Sequence, residues 1–190
     1  MKRPYRNALL FTIFVLVVGA ASYYEHQLQR AGGSGPAAPG GAGETLTRPA
    51  FQLDDLEGRM VPASTWDGQI VLYNFWAAWC PPCRREIPGF NEVREFYRDE
   101  GFEVVGIAID EKEPVTRFLA KLGDIAYPQL IGVTEGSKVM SAFGNAAGGL
   151  PYSVLVDRGG VVRYTKRGEL TKGELIKQLD QLLGEEGAAD

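Results

Sequence analysis

The stretch that decides the fold is IVLYNFWAAWCPPCRREIP, residues 70–88. The run from Gln69 to Trp76 is apolar and rich in β-branched and aromatic residues, which predicts a strand buried on both faces. The segment from Cys80 to Cys83 contains two prolines, and the residues after it have helical spacing. Because proline is tolerated in the first turn of a helix, the pattern predicts a strand, a short turn and a helix.

The segments around this stretch predict alternating strands and helices. The first helix is expected to stop at Gly101, and its apolar face is predicted to carry Ile87, Phe90, Val93, Phe96 and Tyr97. The other predicted elements are two short strands within 51–63, a strand over 103–109, a helix over 114–122, a strand over 127–131, a helix over 137–143, a hairpin of 152–156 with 161–164, and a last helix capped by Thr171. This order predicts an α/β fold with a mixed central β-sheet flanked by helices.

The N-terminal part of the chain predicts an export signal followed by a tether. Residues 1–24 place three basic residues before an apolar run, which is typical of a signal sequence. We expect an uncleaved anchor through residues 8–24, with the chain beyond it outside the cytoplasm; cleavage after the run is the alternative. Residues 25–45 are rich in Gly, Pro and Ala and predict a flexible tether, 46–184 predict the folded domain, and 185–190 a disordered tail.

The net charge and the number of potential metal-ligating side chains exclude some classes of function. The formal net charge is -4, which offers no basic surface for nucleic acid. The two cysteines and the single histidine, His26, are too few for a four-ligand zinc site or an iron–sulfur cluster within one chain. Copper bound by the two cysteines stays open, but we expect no metal and no cofactor.

The spacing of Cys80 and Cys83 favours a redox centre over a structural bridge. A disulfide across two residues closes a very small loop, and the loop-entropy gain is smallest for small loops. At the start of a helix, by contrast, the helix dipole stabilises a Cys80 thiolate, and Cys83 lies one turn further in. Cys80 is therefore the predicted nucleophile and Cys83 the predicted resolving cysteine of a reversible Cys80–Cys83 disulfide.

The two prolines between the cysteines affect the predicted direction of electron flow. Pro81 and Pro82 have no amide N–H, so two donors that could stabilise the Cys80 thiolate are missing. The Cys83 amide and the helix dipole remain. We therefore expect a moderately lowered pKa for Cys80, and a reductant or an intermediate couple rather than a strong oxidant.

These motifs together resemble the thioredoxin superfamily, and more narrowly the membrane-anchored TlpA/ResA-like (CcmG-like) thiol–disulfide oxidoreductases. The motifs are NFWAAWCPPC at 74–83, Pro88 inside the helix, and DRGG at 157–160. The resemblance covers about residues 46–183. It implies a thioredoxin-like fold with an N-terminal strand pair and an extra helix and strand within 113–136.

The resemblance also implies a substrate site beside the cysteines. Pro151 stands where these proteins carry a cis-proline, and the Leu150 backbone would pair with an extended target. From the residues alone, a trans proline that opens a strand is the alternative. The predicted substrate-binding residues are Trp79, Pro81, Pro82, Leu150 and Pro151.

Glu86 lies three residues after Cys83, so the two side chains are neighbours on a helix. Spacing alone leaves open whether Glu86 is a solvated surface residue or a proton relay to Cys83. ResA-like proteins carry a functional glutamate at the matching position, which favours the relay. Asn74 stands where thioredoxin has a buried aspartate, so proton transfer through residue 74 is doubtful.

The activity that the resemblance implies is reduction of disulfides in exported proteins at a bacterial inner membrane, with apocytochrome c among the substrates. The domain would lie on the periplasmic side, soluble there if the N-terminus is cleaved, and a membrane electron donor of the DsbD type would recharge it. An oxidant or isomerase of the same fold, a copper-binding protein without turnover and a thiol peroxidase are the alternatives.

Overall fold

A computed structural model describes residues 45–123 and 125–187. The described residues form one seven-stranded mixed sheet with the strand order β2-β1-β5-β4-β3-β6-β7. The strands are β1 Gln52–Asp55, β2 Met60–Pro62, β3 Ile70–Trp76, β4 Phe102–Ala108, β5 Gln129–Ile131, β6 Tyr152–Val156 and β7 Val162–Arg167. The helices are α1 Pro81–Tyr97, α2 Lys112–Leu122, α3 Thr134–Ala142 and α4 Lys172–Gly187, with 3-10 turns at Ala63–Trp66 and Arg98–Glu100.

The central strand β3 is buried along its whole length, because helices cover both faces of the sheet. Ile70, Leu72 and Trp76 belong to the core that α1, α2 and α4 cover. The alternate residues Val71, Tyr73 and Phe75 belong to the core beneath α3. This double burial explains why β3 has a continuous apolar sequence instead of an alternating one.

The direction of the strands brings the predicted site to one edge of the sheet. β3 runs parallel to β4 and antiparallel to β6, so the end of β3 lies beside the start of β6. Phe75 on β3 pairs with Tyr152 on β6. The segment before Tyr152 therefore reaches the same edge as the turn that leads from β3 into α1.

The predicted α/β architecture is confirmed, including the strand pair β1–β2 and the inserted α2 and β5. Two details differ. Phe96 is 79% exposed, because Val93 and Tyr97 take the core-facing positions and Phe96 lies roughly a quarter-turn away from them. Helix α4 continues to Gly187, three residues past the predicted boundary, where Arg158 pairs with Glu186.

The predicted anchor, residues 1–24, lies outside the described residues, and so does the predicted tether, residues 25–45, except for Thr45; residues 188–190 lie outside them as well. Within the described ranges, none of the helices has the length and hydrophobicity needed to cross a bilayer. The anchor therefore stays a prediction from the sequence.

Candidate active site

Cys80 and Cys83 form a disulfide at the start of α1. Cys80 is the N-cap residue, and Pro81 and Pro82 occupy the first two helical positions, where a backbone N–H has no partner inside the helix. The Cys83 N–H lies 3.4 Å from Cys80 Sγ and donates to it, so the one amide left by the prolines does reach the sulfur. Cys80 is 3% exposed and Cys83 is fully buried, which leaves Cys80 as the sulfur nearer to solvent.

The turn before the disulfide is hydrogen-bonded to a residue that follows β4. Asp110, just past the end of β4, accepts a hydrogen bond of 2.9 Å from the Ala78 N–H through Oδ2. Trp76 is fully buried, whereas Trp79 is 68% exposed. The indole of Trp79 is therefore presented to solvent, next in sequence to Cys80.

The Leu150–Pro151 peptide bond is cis, as the resemblance implied. Pro151 is buried directly before β6, at the sheet edge that carries the cysteines. The loop in front of it is fixed by the buried Asn145, whose side-chain N–H donates to the Gly149 carbonyl over 2.8 Å. The Tyr152 hydroxyl donates to the Phe143 carbonyl over 2.7 Å and closes the same loop.

Glu86 lies on the buried face of α1, one turn after Cys83, and is 4% exposed. The solvated reading of this residue is therefore wrong. Its Oε1 accepts from Asn74 Nδ2 at 2.8 Å, and its Oε2 accepts from the Leu170 N–H at 2.9 Å. Burial raises the pKa of Glu86 to about 7, although these two hydrogen bonds act in the opposite direction. The carboxyl is thus able to change protonation near neutral pH.

Asn74 on β3 is fully buried and connects Glu86 on α1 to strand β6. Its Nδ2 donates to Glu86 and also to Ser153 Oγ, at 3.0 Å, on β6. Residue 74 is an amide and does not titrate, so the acidic group at this place in the core is Glu86 on α1.

Among residues 45–123 and 125–187, no group of three or more His, Cys, Asp and Glu side chains is arranged to hold a metal ion. The polar groups near the cysteines are instead hydrogen-bonded to one another and to the backbone. Their arrangement suits proton transfer and exchange at sulfur.

Comparison with known proteins agrees with this geometry. A profile of the family described as Redoxin matches residues 42–183. The chain belongs to the redoxin family. ResA of Bacillus cereus, a thiol–disulfide oxidoreductase, is 33% identical over 134 residues, which cover 70% of this chain and 75% of the relative. ResA of Geobacillus thermodenitrificans is 34% identical over 137 residues, which cover 72% of this chain and 76% of the relative.

Solved structures give the same result. A thiol:disulfide interchange protein of the thioredoxin family from Chlorobium tepidum superposes with a TM-score of 0.66 at 26% identity, covering 74% of this chain and 98% of that one. A DsbF homologue from Corynebacterium diphtheriae gives 0.65 at 25% identity, covering 78% of this chain and 96% of that one. The fold is thioredoxin-like, and this redoxin is a thiol–disulfide oxidoreductase of the ResA type with a Cys-x-x-Cys pair.

Several groups that shape the site were missed by sequence reasoning. Asp110, Asn145, Ser153 and the Leu170 N–H were not singled out, because a side chain or amide that hydrogen-bonds across the fold has no local signature. Asp110 follows a predicted buried strand, and a polar residue there could have been suspected from its position at the sheet edge. For Leu170, whose contact with Glu86 spans 84 residues, the sequence carries no signal.

Proposed function

We propose that this redoxin reduces disulfides of exported proteins on the extracytoplasmic side of a bacterial inner membrane. Residues 8–24 would anchor it, apocytochrome c would be among its substrates, and a membrane donor of the DsbD type would return it to the dithiol form. The single observation that supports this direction of electron flow is the environment of Cys80 Sγ, which within the described part of the chain accepts one backbone N–H, from Cys83.

The proposed exchange starts from the reduced pair. The Cys80 thiolate attacks one sulfur of a substrate disulfide, an S–S bond to the substrate forms, and the other substrate sulfur leaves as a thiolate. Cys83, once deprotonated, attacks Cys80 Sγ, which forms the Cys80–Cys83 disulfide and releases the second substrate thiolate. The two substrate thiolates then take up protons, one from the group that deprotonated Cys83 and one from solvent, to which Cys80 had lost its own. In total the substrate gains two electrons and two protons, and the enzyme dithiol loses them.

Glu86 is the proposed proton acceptor for Cys83. The two residues are three apart on one buried helix face, which makes their side chains neighbours. A base with a pKa near the ambient pH is suited to take a proton from a thiol and release it again. The raised pKa of Glu86, about 7, meets this requirement.

The proposed substrate site is the surface around the cysteines. Trp79 offers an exposed aromatic face, and Pro81 and Pro82 form the wall beside Cys80, Pro81 exposed and Pro82 half-buried. The Leu150 backbone, at the cis bond with Pro151, provides an edge at which an extended segment could pair.

The reduction potential of the Cys80–Cys83 pair tests the direction of electron flow. The full chain is equilibrated with a thiol buffer and its alkylated cysteines are counted by mass. A value near roughly -270 mV supports a reductase, and one near roughly -120 mV makes the protein a disulfide donor.

A matched pair of variants tests whether the backbone N–H groups that the prolines lack determine the reduction potential. Pro82→Ala restores an N–H at a position from which an N-cap side chain is commonly reached, so it should stabilise the thiolate and make the couple more oxidising. Pro88→Ala restores an N–H in the middle of α1 and should leave the potential unchanged. Equal potentials for Pro82→Ala and the unaltered chain would remove the physical basis of the reductase assignment.

Partners and location need their own measurements. Cys83→Ser in the full chain should accumulate mixed disulfides with exported proteins, whereas a Cys80→Ser, Cys83→Ser double variant should accumulate none. Alkaline extraction and protease treatment of intact spheroplasts test the anchor: the protein should stay with the membrane and be cleaved from outside.

A further inference from the structure

A row of polar groups crosses the sheet on the face that α1 covers. Asn74 on β3 is in register with Ser153 on β6 and with Gly106 on β4, and Gly106 is in register with Gln129 on β5. Residues directly opposite each other in neighbouring strands point to the same face. We call Ser153, Asn74, Gly106 and Gln129 the polar row.

Gly106 allows Gln129 to join the polar row. A Cβ atom at Gly106 would lie 2.3 Å from Gln129 Oε1 and 2.8 Å from its Nε2, so the amide occupies space that any other residue would fill. Trp76 Nε1 donates to Gln129 Oε1 over 3.1 Å, which fixes the orientation of the amide and leaves Nε2 for another partner. The Gln129 amide lies over Gly106 on β4, the strand next to β3, and neighbouring strands lie about 4.8 Å apart, so one bridging water could span from Nε2 to Asn74.

Three buried polar atoms around the row have no hydrogen-bond partner within residues 45–123 and 125–187: Asn74 Oδ1, Gln129 Nε2 and Tyr127 Oη. Asn74, Gln129 and Tyr127 are 0%, 7% and 3% exposed. Burial raises the pKa of Tyr127, the nearby Gln129 amide lowers it and the negative charge of Glu86 raises it, so the phenol lies beside Gln129 and within range of Glu86. A buried water typically makes about three hydrogen bonds to such groups, and an acceptor, a donor and a hydroxyl suit it.

We propose that Gln129 and Tyr127 hold a buried water molecule against Asn74 Oδ1 and thereby keep the Asn74 amide with its N–H toward Glu86. Ser153 does not select this orientation, because its hydroxyl both donates and accepts. With the water bound, Glu86 faces a donor, which favours the carboxylate. Without it the Asn74 amide can rotate and offer Oδ1, which favours the protonated acid.

Gln129 and Tyr127 are thus positioning residues for Glu86, and their role in exchange rests on the proposed role of Glu86. The other ionisable groups that face Glu86 are Arg85 on α1, Glu169 after β7 and, in the reduced protein, the two thiols. Arg85 and Glu169 form an ion pair with each other at the surface. Changes at Gln129 or Tyr127 leave that pair intact.

The test measures the titration midpoint of Glu86 directly, in the oxidised full chain labelled with 13C at the glutamate carboxyl groups. Glu86→Gln identifies the resonance by its loss. Gln129→Met keeps the size of the side chain and removes the amide, and Tyr127→Phe removes the hydroxyl alone. Gln178→Met and Tyr164→Phe, which alter the same residue types outside the row, are the matched controls.

Gln129→Met should raise the Glu86 midpoint by about one pH unit, since a hydrogen bond that favours the carboxylate is lost. Tyr127→Phe should raise it in the same direction, and the two controls should not move it. An unchanged or lowered midpoint in Tyr127→Phe, and in Gln129→Met if it folds, would overturn the proposal. If the Glu86 midpoint rises in Gln129→Met and Tyr127→Phe but Glu86→Gln exchanges disulfides normally, the positioning of Glu86 by the polar row is supported. The proposed role of Glu86 as proton acceptor for Cys83 is then refuted.

Discussion

Asn74 Nδ2 donates a hydrogen bond of 2.8 Å to Glu86 Oε1 in the core between β3 and α1. Asn74 occupies the strand position at which thioredoxin carries a buried aspartate. The carboxyl group here belongs to Glu86, which lies on α1 one turn after Cys83. The second Glu86 oxygen is held by the Leu170 N–H. The acid is therefore fixed by a strand and a loop while it sits on the same helix as the resolving cysteine.

The buried Glu86 carboxyl should make the free energy of unfolding depend on pH. Its pKa rises from 4.5 in its ordinary state to about 7 in the fold, mainly through burial. The folded chain then binds this proton more tightly than the unfolded chain, so the contribution is fully present below about pH 4.5 and is lost as pH rises through about 7. The loss should be about 3 kcal/mol.

Denaturant unfolding of the oxidised full chain at a series of pH values measures this dependence. Glu86→Gln should flatten the profile across that window. Glu92→Gln alters an exposed glutamate on the same helix and should keep the slope. A Glu86→Gln profile as steep as that of the unaltered chain would mean that another group titrates.

Trp79 should affect substrate binding without affecting stability. Because its side chain is 68% exposed, Trp79→Ser removes little buried surface and should change the free energy of unfolding by less than about 0.5 kcal/mol. The KM for a protein disulfide should rise about tenfold or more, as for loss of an aromatic contact residue. Phe96→Ser is the control, since Phe96 is 79% exposed at the other end of α1 and should leave KM unchanged. Similar KM values for both variants would contradict a substrate contact at Trp79.

Thr171 should stabilise the protein as the N-cap of α4. Its Oγ1 accepts from the Glu174 N–H at 3.2 Å, and Glu174 Oε2 accepts from the Thr171 N–H at 2.9 Å, which is a reciprocal capping box. Thr171→Ala should lower the free energy of unfolding by about 1 kcal/mol. Thr116→Ala, at an exposed position inside α2, should cause no loss, and equal effects of the two changes would argue against the cap.

The strand, the turn and the helix that carry Cys80 and Cys83 could be predicted because each has a local pattern. A continuous apolar run, two prolines and a periodic segment are visible within 19 residues, 70–88. The cap of α4 at Thr171 is local as well. Features of this kind depend on residues that are close in sequence, so a short window of sequence is enough to predict them.

The groups around Glu86 could not be predicted in the same way, because they depend on register and on which flank of a helix the sheet covers. Spacing from Cys83 left the burial of Glu86 undecided, and the same helical pattern misplaced Phe96. Gln129 meets Trp76 only because β5 pairs with β4 at Gly106. A register between distant strands is set by the whole sheet and has no signature in a short window.

Gly106 should be essential for the packing of the polar row. Its backbone does not need glycine for its own conformation, since Gly106 is not among the glycines with positive φ. The need comes from Gln129, whose Oε1 would lie 2.3 Å from an added Cβ atom. Gly106→Ala should therefore displace the buried amide, break its hydrogen bond with Trp76 Nε1 and lower the free energy of unfolding by about 1–3 kcal/mol.

The stability loss is measured by denaturant unfolding, and the broken bond by the shift of the Trp76 indole N–H resonance, which Trp76→Phe assigns. Gly173→Ala is the matched control: an added Cβ atom meets nothing within 4 Å there, and alanine in α4 should stabilise by about 0.5–1 kcal/mol. Gly106→Ala combined with Gln129→Ala should recover part of the loss, because the clash disappears with the longer side chain. A Gly106→Ala variant with native stability and an unmoved indole resonance would show that Gln129 does not lie across β4 in solution.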